Sequence, residues 1–156
     1  MRWMCLLIGL SFLLFAPAWA GHTPPKILLR IYIQTTGEGL PDAQATRVAI
    51  PPNGEIIQIR SLPEVTEREL ISVQQDTTSA VHLQFNHEGQ VVLDAATAQN
   101  QNRIMVVMLN GFVIYAPTID EQITTGELII PHRLKPEVLQ LLQETARKNV
   151  QEQSHN

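Results

Sequence analysis

The chain has almost no cysteine: Cys5 is the only one in 156 residues, and it stands ahead of an apolar run near the N-terminus. That excludes a disulfide framework and any metal site built from several thiolates. Aromatic residues are also scarce, at 5% of the chain, and both tryptophans, Trp3 and Trp19, fall in the first twenty residues. Beyond residue 20 only Tyr32, Phe85, Phe112 and Tyr115 remain, too few for a row of stacking platforms under bases or sugars. Positive charge is short as well. Eleven lysines and arginines face 15 aspartates and glutamates, a net charge of −4, which argues against a nucleic-acid partner because phosphate binding requires a basic surface. After Phe15 no apolar run approaches the about 20 residues a membrane-spanning helix needs.

The first twenty residues hold what the rest lacks. A start bearing the single charge of Arg2 leads into the apolar run 6–15 and then into Ala16-Pro17-Ala18-Trp19-Ala20. This is the three-part order of a secretory signal peptide. Ala18 and Ala20 offer a peptidase two small side chains, and Pro17 ends the helix so that the segment can be cleaved in extended form. Cleavage is expected after Ala20, and a periplasmic or secreted location follows. An uncleaved anchor fits worse, since the run breaks at Pro17. Lipidation does not fit, since Cys5 precedes the apolar stretch rather than following it. Processing leaves 136 residues with 10 basic and 15 acidic side chains, a net charge of −5 and no cysteine. One domain of ordinary size is expected, with 21–25 as a leader, 26–149 as the domain and 150–156 as a frayed polar tail.

Residues 26–34, KILLRIYIQ, are rich in branched residues and end at Thr35-Thr36-Gly37, which predicts a strand. Residues 46–50 and 55–60 flank Pro51-Pro52-Asn53-Gly54 and predict a hairpin. Residues 61–79 are less regular and read as a connector, with one capped helical turn at Thr66-Glu67-Arg68-Glu69. In 81–85, Val81, Leu83 and Phe85 alternate with His82 and Gln84, the pattern of a half-buried strand. Asn86 is placed to cap a helix running to about Gln99, with Glu88 at its positive end. Residues 103–109 and 112–116 flank Asn110-Gly111, the dipeptide suited to two successive positive φ angles in a type I′ turn. A short strand, 127–130, follows Gly126 and stops at Pro131. A last helix begins at Pro136 and aligns Val138, Leu141, Leu142 and Ala146. The class predicted is α+β, a mainly antiparallel sheet with both helices on one face.

Catalytic chemistry is hard to find in the sequence. Ser61, Ser72, Ser79 and Ser154 lack the glycine-flanked elbow of a serine nucleophile. His82, His87, His132 and His22 match no helical two-histidine metal spacing, and Asp120-Glu121 reads as a solvated loop pair. Neither a metal nor a cofactor is implied. Asn110, Gly111, Pro117 and Gly126 are explained by turn geometry alone.

The order of these signals from Val81 to Ala146 brings in a family. A strand is followed by a helix with Glu88-Gly89 at its start and Thr97 with Asn100 at its end. Then come RIMVVMLNGFVIYAPTI, Ile123 with Gly126, and a leucine-rich helix. The series resembles the first periplasmic domain of SecD and SecDF, with Asn110-Gly111 where Asp-Gly is usual and Ala116-Pro117 at the alanine-proline position. The resemblance implies the fold, an envelope location and a non-enzymatic binding or adaptor role toward polypeptide or an envelope complex in protein export. It does not carry over the membrane motor, for which nothing after Phe15 is long and apolar enough. The alternatives are an inhibitor or immunity-type protein that occludes another envelope protein, and a small hydrolase. For a polypeptide binder, exposed edge strands are the expected contact, and the net acidity predicts a preference for basic segments that fades with salt.

Overall fold

The structure, a computed structural model, describes residues 27–36 and 44–154. The predicted cleavage site with Ala18 and Ala20, the leader 21–25 and the last two residues of the tail lie outside the described residues. Two strands that read as nearly continuous apolar runs, β1 (Leu29–Ile33) and β7 (Met105–Leu109), pair antiparallel with Ile31 opposite Val107. Such runs mark strands covered on both faces. Leu29, Ile31, Ile33, Met105, Val107 and Leu109 face the larger core, and Tyr32 and Val106 face a smaller one on the other side. The short β4 (Val65–Thr66) pairs with the outer side of β1, and β8 (Phe112–Tyr115) returns along β7, completing the order β4-β1-β7-β8.

The expected hairpin is formed by β2 (Ala45–Ile50) and β3 (Glu55–Arg60), closed through a cis Pro51-Pro52 bond and Gly54 at φ +70°. It lies across the outer side of the β1–β7 pair, where Ile50, Ile57 and Ile59 pack with Tyr32 and Val106. The Thr35 amide donates to the Gln58 carbonyl at 2.8 Å and ties the end of β1 to β3.

A third sheet has the order β5-β6-β9, from β5 (Leu70–Gln75), β6 (Val81–Phe85) and β9 (Glu127–Ile130). Helix α1 (His87–Gln99) starts where the Asn86 side chain accepts the Gly89 amide at 2.9 Å. Helix α2 (Pro136–Gln153) begins at the expected proline. Leu93 and Ala96 of α1 and Leu142 and Ala146 of α2 join Val81, Leu83, Phe85 and the inner face of β1–β7 in one core. The class is α+β, with antiparallel sheets and two helices.

Three sheets stand where one was expected, and the connector 61–79 contains strands. Thr66 does cap a single 3₁₀ turn (Glu67–Glu69), its backbone amide donating to Glu69 Oε2 at 2.8 Å. The chain then continues directly into β5. Helix α2 runs past Val150 to Gln153, and the Ser154 hydroxyl donates to the Gln151 carbonyl at 2.8 Å. Among the described residues no helix is long and apolar enough to cross a membrane.

Candidate interaction surface

The residues that carry the sequence resemblance hold one loop against α1. Thr97 is fully buried; its hydroxyl donates to the Leu93 carbonyl at 2.7 Å and accepts the Ile123 amide at 2.9 Å. Gln90 donates to the Thr124 carbonyl at 2.7 Å, and the Phe85 amide donates to the Gly126 carbonyl at 2.9 Å. Gly126 has φ +68°, and a Cβ there would lie 2.7 Å from Gln90 Cβ. Conformation and space both call for glycine at this point. The Pro117 carbonyl accepts the Met105 amide at 2.9 Å, extending the pairing beside β7. Asn110 and Gly111 have φ of 50° and 84°, the two positive angles of a type I′ turn. The Asn110 side-chain oxygen also accepts the Leu28 amide at 2.9 Å and fixes the turn to the start of β1.

The polar groups with catalytic potential are dispersed. Ser61 Oγ lies 3.2 Å from Thr46 Oγ1, and Ser79 Oγ accepts from Arg133 at 3.2 Å. His132 stands edge-on to the Tyr115 ring, with 6.1 Å between ring centroids. Burial pushes the Tyr115 phenol up, and the charge of Asp120 adds to the effect. His82, on the polar face of β6, has a carboxylate partner at each ring nitrogen. Its Nδ1 is 2.7 Å from Glu127 Oε1 and its Nε2 is 3.4 Å from Asp76 Oδ2. The two carboxylates flank opposite nitrogens of one ring, an arrangement that cannot converge on a shared cation. Among the described residues no group of three or more histidine, cysteine, aspartate or glutamate side chains could hold a metal ion.

Among the described residues one feature with the shape of a binding site, and a mostly apolar lining, is a groove. The β2–β3 hairpin covers the Tyr32 and Val106 end of the outer β1–β7 face and leaves the opposite end open. Leu28, Tyr32, Val48, Ile59 and Met108 line a hollow of about 350 Å³, at the lower end of the roughly 300–1,000 Å³ typical of ligand clefts. Arg30, Arg60, Thr46, Ser61, Asn110 and Gly111 complete its lining. Its walls come from strands distant in sequence, so no local pattern announced it. Strand alternation alone put Leu28, Arg30 and Tyr32 on one side of β1, without saying what covers them.

A family model for the SecDF P1 head subdomain matches residues 51–143, more than half of the chain. The chain belongs to this family. Two solved SecDF structures share the fold. One, of a membrane component SecDF that enhances protein export, has a TM-score of 0.56 at 22% identity over 78% of this chain and 62% of that one. The other, SecDF in a super-membrane-facing form, has a TM-score of 0.55 at 20% identity over 77% of this chain and 18% of that one. This P1 head protein therefore spans under two thirds of the length of either. No curated protein sequence matches it. The family match starts at the turn of the β2–β3 hairpin, ahead of the stretch from Val81 where the sequence signals agree, and takes in β3, β4 and β5. Of the groove, Ile59, Arg60, Met108 and Gly111 lie inside the matched region, whereas Leu28, Arg30, Tyr32 and Val48 precede it.

Proposed function

We propose that this P1 head protein is a non-enzymatic binding domain of protein export, which holds extended polypeptide in the groove between the β2–β3 hairpin and the β1–β7 face. It acts in the periplasm or outside the cell once residues 1–20 have been removed. The carrying observation is the half-covered sheet face: the half-buried apolar side chains of Leu28, Val48 and Met108 beneath an open mouth. Apolar surface left in a groove gains by taking apolar side chains out of water, at roughly 25 cal/mol per Å² before ordering costs. Binding of this kind needs no cofactor, nucleotide or proton gradient. Membership in the P1 head family and the likeness to an export-enhancing SecDF support the link to export.

The test is titration of the processed protein with a permanently unfolded polypeptide, with and without Met108→Glu. Micromolar binding is expected, weakened about tenfold by the charge placed among the apolar lining. Because Met108 packs against the Tyr32 and Val106 cluster, the unfolding midpoint is measured alongside and binding is compared at a temperature where both proteins are folded. Absence of polypeptide binding at high micromolar concentration, combined with tight capture of one folded envelope protein, would replace this reading with the inhibitor or immunity-type one.

A further inference from the structure

The groove and the molecule around it carry opposite charge. The chain has a net charge of −4, yet the groove is lined by Arg30 and Arg60 and by no carboxylate. Arg30 stands on β1 between Thr66 of β4 and Met108 of β7. It is exposed and makes no ion pair among the described residues. Arg60, at the end of β3, pairs with Glu64 at 3.6 Å, and Glu64 does not line the groove. At physiological salt a charge is felt over about 8 Å, and Glu64 lies well inside that distance of Arg60, so a bound segment senses Arg30 above all, more than the distant net charge. A guanidinium above an apolar floor also offers a carboxylate two parallel N–H donors, a geometry that discriminates more sharply than a diffuse field.

We propose that the groove selects extended segments in which a short apolar run is flanked by acidic residues, the run lying on Leu28, Val48 and Met108 and the carboxylate meeting Arg30. This rests on the reading that the groove holds polypeptide, and it names the class of segment held. It reverses the preference for basic segments that net charge alone predicts. Arg30 itself lies on β1, ahead of the region matched by the family model.

Three labelled peptides with one apolar core, flanked by aspartate, serine or lysine, are titrated by fluorescence anisotropy against the processed protein and its Arg30→Glu variant. Arg30 is exposed, so the variant is expected to fold, and its unfolding midpoint is measured alongside. The aspartate peptide should bind about tenfold more tightly than the lysine peptide. Arg30→Glu should reverse that order, with the serine peptide falling between the other two in both proteins, and about 0.5 M salt should close the gap. Tighter binding of the lysine peptide, or an order unaltered by Arg30→Glu, overturns the proposed selectivity while polypeptide binding stands. If none of the three binds, the polypeptide reading falls and the selectivity with it.

Discussion

His82 shows how much a single side chain depends on contacts far away in sequence. The hydrogen bond to Glu127, then that to Asp76, raises its pKa above the ordinary 6.5, because both carboxylates favour the imidazolium. Asp76 is itself held below the usual carboxylate range, first by the Thr78 hydroxyl and also by His82. The charged histidine is better partnered in the folded chain than in the unfolded one. Its stabilisation is therefore complete below pH 6.5 and is lost as pH rises through the elevated folded value. Comparing denaturation midpoints of the protein and His82→Gln should show a larger gap at about pH 5.5 than at about pH 8.5. In a Glu127→Gln background most of this pH dependence should disappear. A gap of constant size would mean that the ring makes no such contacts in solution. Strand alternation correctly placed His82 outward, but nothing near it in sequence pointed to Glu127, which is 45 residues away.

At the scale of elements, two glycines with similar φ separate conformational strain from crowding. Gly111, at +84°, has nothing within 4 Å of the point where a Cβ would stand, whereas Gly126, at +68°, is closed off by Gln90. Gly111→Ala should cost about 1 kcal/mol, and Gly111→Val roughly 1–3 kcal/mol, through backbone strain alone. Gly126→Ala should cost more than Gly111→Ala, because it also pushes the 123–126 loop off α1. Urea denaturation of the variants checks the order, and equal midpoints for the two alanine variants would contradict it. The clearest elements in the sequence were those with strong local punctuation: Asn86 before α1, Asn110-Gly111 between β7 and β8, and Pro136 at the start of α2. Strand β5 lacked it. A register shift between Leu70 and Ser72 breaks its alternation. Its place is set by α2, where Gln143 donates to the Val73 carbonyl at 3.3 Å and Asn149 to the Leu70 carbonyl at 2.7 Å. These partners lie about 70 to 80 residues further along the chain, out of reach of any local reading.

For the whole molecule, the sequence predicts export with cleavage after Ala20, so N-terminal sequencing of the exported protein should begin at Gly21. Cleavage there would remove Cys5, the one cysteine of the chain, so the unfolding midpoint of the exported form should be the same with and without reductant. A reductant-dependent shift, or a protein that retains Met1, would refute the processing scheme. Fold class could be read from composition and periodicity, because both helices and most of the strands carry their own pattern, β4 and β5 being the exceptions. The groove could not, because it exists only where β1, the β2–β3 hairpin and the turn after β7 meet. Whether polypeptide lies in that groove is decided by amide chemical-shift mapping of the processed protein on addition of unfolded polypeptide. The largest shifts should fall on Leu28, Arg30, Tyr32, Ile59 and Met108, while β9 and α2 stay unmoved. Shifts centred instead on the β8 edge around Phe112, or on the α1 surface around Val91 and Ala95, would show that the groove is not where polypeptide binds.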